Sequence, residues 1–330
     1  MTSLPAQFVA SLTDSNADAA FVCVGCGHRK SRDAALPRGW PCPMCRCDAC
    51  GLIQQSPRNS ARSPVGPVNV SLNGDAQSES EAWTSAVQQY ALCLLPLESS
   101  PGRNLLIVGC GRGHLAALAK SRGWRVVALD PSPHAVCRAI EQFGLDARAG
   151  GLARHREALG RFDVVVCGNL ETSWDPAAVL RDTRTVLNTA GLVCVDVSDG
   201  FADWNPAMAD ASRNSQDAPL NLFNAESLEG LLRTCGLEMV AVHAGGKGSA
   251  PQLATNGLGV FRWIPQFIAR WFSRLWGLFA GGPAKGCPRS AARDLSEAVA
   301  QIEATASRPT AQRGRANRLL AVATRAALAG

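Results

Sequence analysis

An α/β fold built on a parallel sheet is predicted by three features of the sequence. Residues 105–108 form a continuous apolar run, followed at once by Gly109, Gly111 and Gly113 and then by Leu115, Ala116, Leu118 and Ala119 at helical spacing. Residues 125–130 form a second short apolar run, which ends in Asp130, seventeen residues beyond Gly113. Two more apolar runs, 161–167 and 192–197, follow with a helical stretch between them, 177–187. Strands that are apolar along their whole length belong to sheets covered on both faces, which is the condition of parallel strands joined by helices.

The first of these runs carries the chemistry. Glycines between a strand and a helix let the chain take φ > 0 and let a ligand approach the main chain without meeting a Cβ, while the helix start offers free N–H groups. A dinucleotide fingerprint G-x-G-x-x-G wants a small residue at 114, where this chain has His114; what stands here is G-x-G-x-G. A carboxylate at the end of the second strand can accept both hydroxyls of a ribose. Loop and acid together predict an adenosine-binding βαβ unit, with a dinucleotide oxidoreductase disfavoured by His114.

These residues resemble the class I S-adenosylmethionine-dependent methyltransferases, whose first motif ends G-x-G-x-G and whose second strand ends in such an acid. The resemblance covers about residues 81–260. It implies a Rossmann-like sheet with S-adenosylmethionine as methyl donor. Gly109, Cys110, Gly111 and Gly113 would meet the donor's methionyl part, Asp130 with Pro131 its ribose, and Gly150-Gly151 its adenine. Asn169 and Leu170, after the strand 161–167, would wall the pocket near the sulfonium. The chain departs from the family pattern in three places: Ile107 stands where an acid is usual, Glu171-Thr172 where Glu-His is common, and Asn221 where a histidine is common. No catalytic base is assigned; Glu171, His114 and His243 are named as candidates, each with a packing or surface role as its alternative. The helix 81–97 carries Trp83, Val87, Tyr90, Ala91, Leu94 and Leu95 on one side, and Tyr90 is read as core.

A second module precedes this one. Cys23-x2-Cys26, Cys42-x2-Cys45 and Cys47-x2-Cys50 crowd into twenty-eight residues. Two such knuckles present four thiolates to one tetrahedral ion, so the pattern predicts structural Zn2+. Cys23, Cys26, Cys42 and Cys45 look like a rubredoxin-like ribbon. Cys47 and Cys50 look like the closing knuckle of the zinc ribbon that precedes many bacterial small-molecule methyltransferases, and an expanded site using all six cysteines is a third arrangement. The sequence alone leaves the choice open.

Composition bounds the rest. The chain of 330 residues is 46% hydrophobic and 18% charged, with net charge +6, and its last 43 residues hold seven arginines against three acids. The core is thus near neutral, which argues against a catalytic domain that grips a nucleic-acid backbone through its overall charge. No secretory signal is read in 1–20, and a cytoplasmic protein is expected, its thirteen cysteines reduced or metal-bound.

The expected organisation is a disordered N-terminus (1–20), a zinc ribbon (21–55), a linker (56–80), the methyltransferase domain (81–260) and a tail (261–330). Within the tail, 261–279 combines aromatic residues with Arg262, Arg270 and Arg274 and is read as an amphipathic helix, either at the inner face of a membrane or packed on protein. Helical pieces are expected at 291–306 and 316–328, and the insertion 198–224 is read as a substrate-selecting lid. The leading expectation is methyl transfer to a small-molecule acceptor such as a sugar or lipid-linked envelope precursor. The alternative is a catalytically degenerate donor-binding protein whose ribbon and tail hold a protein or nucleic-acid partner. A nucleic-acid substrate is not favoured, because no aromatic-basic platform occurs outside 261–279. The oligomeric state is not read from the sequence.

Overall fold

The structure is a computed structural model and describes residues 21–34, 36, 42–58, 79–98, 102–198, 219–244 and 318–326. The N-terminal segment 1–20, the lid, the aromatic-basic stretch 261–279 and the piece 291–306 lie outside these residues in whole or nearly so. Among the described residues no helix is long and apolar enough to cross a membrane.

The chain begins with three short strands, β1 (Ser31–Asp33), β2 (Met44–Cys47) and β3 (Ile53–Gln55). Helix α1 (Glu79–Cys93) follows, ending in a 3-10 turn at Leu95–Leu97 where Pro96 stops the helical pattern expected to run on. Alternation then sets in: β4 (Asn104–Val108), α2 (His114–Ser121), β5 (Arg125–Asp130), α3 (Pro133–Phe143), β6 (Asp146–Ala149), α4 (Leu152–His155), β7 (Phe162–Gly168), α5 (Pro176–Val186) and β8 (Leu187–Ser198). The last elements are β9 (Asn221–Leu222), α6 (Ala225–Thr234), β10 (Leu237–Ala244) and β11 (Arg318–Arg325). Local chemistry sets the helix starts. Ser132 and Asp175 accept the amides of Ala135 and Ala178, each with proline next in the chain, and Asn224 and Ser227 form a reciprocal capping box.

The large sheet has the order β10-β11-β8-β7-β4-β5-β6. From β8 to β6 all neighbours are parallel, with Leu106 opposite Val127 on one side and Val165 on the other. Strand alternation divides the core in two. Leu105, Ile107, Val164 and Val166 pack with α1, α2 and α3 on one face, whereas Leu106, Val165, Cys167, Val193 and Val195 pack with α5 and α6 on the other. This three-layer arrangement is the Rossmann-like sheet that the sequence predicted.

The tail corrects the sequence reading. Residues 318–325 are a strand where a helix over 316–328 was expected, and β11 lies antiparallel between β8 and β10. The alanines that favour a helix here are simply small enough for a strand covered on both faces: Leu319, Leu320, Ala321 and Ala323 are all buried. The methyltransferase sheet therefore draws one strand from beyond residue 260.

The cysteine ribbon is joined to this body. A second sheet runs β1-β2-β3-β9, so that Ile53 and Gln54 pair with Leu222 and Asn221 of the larger domain. Cys23, Cys47 and Leu52 belong to the same apolar cluster as Phe223, Leu228 and Leu231. The segment read as a linker is anchored at both ends, with Arg58 bonded to Trp174 and Asn221 and Glu79 opening α1.

Candidate donor site and cysteine cluster

Strand order reverses between β4 and β7: connections run from β4 towards β5 and β6 on one side, and from β7 to β8 on the other. Ligands of open parallel sheets bind beyond the carboxyl ends of the strands at such a switch point. Here those ends carry Gly109 and Asn169.

The glycine loop takes the backbone shape its sequence predicts. Gly109, Gly111 and Gly113 have φ of 82°, 53° and 88°. Gly113 is glycine for packing, since a Cβ there would meet Leu145 at 2.7 Å and Ala139 at 2.8 Å. Gly111 is glycine for access, since a Cβ there would meet nothing within 4 Å. The Gly111 N–H donates to one oxygen of Asp130 at 2.8 Å, and the Ser132 N–H donates to the other at 2.9 Å. Burial pushes the Asp130 carboxyl above its ordinary range, and these two backbone bonds oppose that rise. Each carboxylate oxygen keeps a further lone pair for a hydroxyl donor.

Across the switch point Asn169 has φ of 61°, the single positive value for a non-glycine among the described residues. Asparagine tolerates this conformation better than most residues, and such outliers gather at functional sites. Asn169 faces the glycine loop closely: a Cβ on Gly109 would stand 3.0 Å from Asn169 Nδ2.

The other expected donor residues divide. Cys110 is part-buried, its thiol pushed up by burial, and Pro131 is exposed beside Asp130. Gly150 donates its N–H to the Asp130 carbonyl at 2.8 Å, which puts the Gly150-Gly151 turn at the edge of the same site. Leu170 is the correction: its side chain is 1% exposed within the apolar cluster, so it does not wall a pocket. The apolar residue after a strand end has turned back into the core and left its neighbour Asn169 at the site.

Of the three base candidates, His114 is held in a packing role. His114 is enclosed edge-on by Trp83 and Phe143, with Nε2 donating to Glu79 Oε1 at 2.8 Å. Glu171 contributes its backbone carbonyl, which accepts from Leu220 and Asn221, and only the backbone of His243 is described, in β10. Tyr90 is fully buried, donates to Glu98 at 2.6 Å and accepts from the Trp124 indole at 3.2 Å, as a core residue does. Ile107, where the resembled family carries an acid, is 2% exposed in the core.

One residue escaped the sequence reading and another was noted there without its role. Asp196, near the carboxyl end of β8 and level with Gly168, is 4% exposed and accepts from Gln89 Nε2 of α1 at 2.9 Å. Its signal was a single carboxylate inside an otherwise apolar strand. Asn221, noted in the sequence only as standing where a histidine is common, is wholly buried in β9 and bonded to the loop after β7; nothing in the sequence names those partners.

The cysteine module resolves its alternatives by geometry. The sulfurs of Cys23, Cys26, Cys47 and Cys50 all lie within 4.8 Å of one another, with Cys23 to Cys50 at 3.5 Å and Cys26 to Cys47 at 3.6 Å. Zn–S bonds of about 2.3 Å at tetrahedral angles set sulfurs about 3.8 Å apart, so the set fits Zn2+. Cys42 and Cys45 stand outside this cluster, and Cys42 Sγ lies 3.7 Å from Met44 Sδ instead. The two clustered knuckles are matched turns, closed by Gly27 N–H to Cys23 O at 2.8 Å and Gly51 N–H to Cys47 O at 3.1 Å.

Fold and site together define an adenosine-binding α/β domain carrying a four-cysteine module. The methyltransferase domain family matches residues 78–242, half of the chain, and the chain belongs to that family, the class I S-adenosylmethionine-dependent methyltransferases. It is 31% identical over 145 residues to a probable S-adenosylmethionine-dependent methyltransferase of Mycolicibacterium smegmatis, covering 42% of this chain. The alignment spans about half of that relative, 53% of its length. Among solved structures it is similar to the plantazolicin methyltransferase BpumL in complex with SAH, at 11% identity and TM-score 0.48 over 81% of this chain and 93% of that one. A S-adenosylmethionine-dependent methyltransferase from Archaeoglobus fulgidus is similar at 12% identity and TM-score 0.45, over 74% and 94% of the two chains.

Proposed function

We propose that the protein transfers a methyl group from S-adenosylmethionine to a small-molecule acceptor. The observation that carries this reading is the bond from Gly111 N–H to Asp130, which ties an open glycine loop to the one carboxylate suited to ribose. The donor's sulfonium supplies the methyl group for an in-line displacement. What the chain must do is hold and align the partners and keep water away. Gly109, Gly111 and Gly113 open the backbone to the methionyl part, Asp130 takes the ribose hydroxyls, and Asn169 faces the loop from the neighbouring strand.

The acceptor is read from the sequence as a sugar or lipid-linked envelope precursor, because the aromatic-basic stretch 261–279 suits contact with a cytoplasmic membrane face. Zn2+ is assigned to Cys23, Cys26, Cys47 and Cys50, where it would hold two turns together and take no part in the chemistry. A second reading, donor binding without turnover, is favoured by Ile107 in the core in place of an acid. Its ribbon and tail would then bind a protein or nucleic-acid partner.

The test is transfer of labelled methyl from S-adenosylmethionine by the full zinc-loaded chain, screened over polyprenyl-linked and free sugars with RNA as comparison. Label in a sugar fraction supports the leading reading. Donor binding with no label in any fraction supports the second, and label in RNA alone overturns the small-molecule assignment.

A further inference from the structure

The loop after β7, which presents Asn169 to the glycine loop, is held in shape from outside the donor site. The Asn221 side-chain amide donates to the carbonyls of Leu170 at 3.0 Å and Ser173 at 2.8 Å. The backbone N–H groups of Leu220 and Asn221 both donate to the carbonyl of Glu171, at 2.7 and 2.9 Å. Asn221 Oδ1 accepts from Arg58 Nη2 at 2.5 Å, while Arg58 Nη1 donates to the Trp174 carbonyl at 2.7 Å. The guanidinium also lies 5.3 Å from the centre of the Trp174 ring. Four of the five carbonyls from Leu170 to Trp174, all but that of Thr172, are thus engaged by two side chains and the backbone of residues 220–221.

This clamp continues into the cysteine ribbon. Asn221 pairs with Gln54 of β3, and Gln54, 2% exposed, bonds on both sides of Cys23: it donates to the Val22 carbonyl at 2.9 Å and accepts from the Val24 N–H at 2.8 Å. Strand pairing of β3 with β9, together with the Gln54 side-chain bonds, therefore connects the first knuckle to the loop that carries Asn169. Arg58 is buried enough that its guanidinium is pushed down to about 10. Burying a cation is costly, and this one is spent on two oxygen acceptors and an aromatic ring of the same loop.

We propose that Asn221 and Arg58 are positioning residues of the donor site: they fix the loop from Asn169 to Trp174, braced on the ribbon, and so set affinity for the donor without touching it. This rests on the donor reading given above. Without the clamp, Asn169 loses the support for its left-handed backbone and the wall opposite Gly109 is no longer preformed.

The experiment is calorimetric titration of S-adenosylhomocysteine into the full zinc-loaded chain. The samples are wild type, Asn221→Ala, Arg58→Lys and Leu187→Ala, with zinc content and Tm measured on each. Leu187 is buried at the amino end of β8, at the opposite end of the sheet from the site, and controls for loss of stability alone. The expected result is at least tenfold weaker binding for Asn221→Ala and a several-fold loss for Arg58→Lys, which keeps the charge but not the fork. Leu187→Ala should lower Tm and leave Kd within twofold. Unchanged Kd in folded, zinc-loaded Asn221→Ala overturns the proposal, as does a loss in Leu187→Ala equal to that in the clamp variants. If Asn221→Ala does not fold, Arg58→Lys decides in the same way. A wild type that binds no S-adenosylhomocysteine would sink the donor reading itself, and this proposal with it.

Discussion

Asp130 accepts the Gly111 amide at 2.8 Å, so the acid of the second strand and the open glycine of the first loop form one unit before any ligand arrives. The carboxylate proposed to receive ribose hydroxyls also sets the loop beside it. Sequence spacing predicted both residues as donor contacts; their bond to each other is what the fold adds.

The glycines of the loop should separate stability from binding. Gly113→Ala combines positive φ with collisions against Leu145 and Ala139, and should cost about 2–5 kcal/mol in urea unfolding. Gly111→Ala meets no neighbour and should cost only about 1–2 kcal/mol. Its Cβ would stand in the open approach to the loop, so S-adenosylhomocysteine affinity should fall more than stability does. Equal and small effects at both positions would remove the distinction between packing and access.

Metal content should follow the cysteine geometry. Cys42→Ser and Cys45→Ser should retain one zinc per chain by atomic absorption, whereas Cys50→Ser should lose it. A zinc lost from Cys45→Ser and kept in Cys50→Ser would restore the rubredoxin-like arrangement.

Acid stability should depend on Glu79, in the first turn of α1. Burial alone would push its carboxyl up, but the bond and charge of His114, the Gln142 amide and the Arg112 charge hold it below the ordinary range. With the folded pKa below the unfolded one, its contribution is complete above the ordinary glutamate value of about 4.3 and is lost as pH falls through the folded value. The Glu79→Gln protein should accordingly show a flatter fall of Tm below about pH 4.5 than wild type. The side chain is about a third exposed, so the difference will be modest. Parallel Tm curves across that range would assign acid sensitivity elsewhere.

Most of the fold was legible because buried parallel strands and glycine turns write themselves into short sequence windows. The run 105–113 and the run ending at Asp130 needed no distant partner to be read. The last strand did need one. Residues 318–325 are rich in alanine and arginine and look helical until β8 and β10 offer a slot between them. Site residues followed the same division. Gly111 and Asp130 stand at strand ends, where sequence spacing points to them, whereas the Asn221 amide donates to carbonyls some fifty residues earlier in the chain. That the Leu170 side chain turns into the core was not legible, because adjacency to Asn169 in sequence does not fix which way a side chain turns once a strand ends. The cysteines were legible as a group, but which four of them lie together depends on how the fold brings the turns at 23–27 and 47–51 side by side.

The central claim is a donor site in which Gly111 and Asp130 act together, and calorimetric titration of zinc-loaded protein with S-adenosylhomocysteine tests it most directly. Wild type should bind one equivalent. Asp130→Ala should weaken binding by about a hundredfold, since charge-assisted bonds to two hydroxyls are worth about 3 kcal/mol together. Asp130→Asn, which keeps one acceptor oxygen, should fall between. Wild-type affinity retained in folded Asp130→Ala would contradict the account.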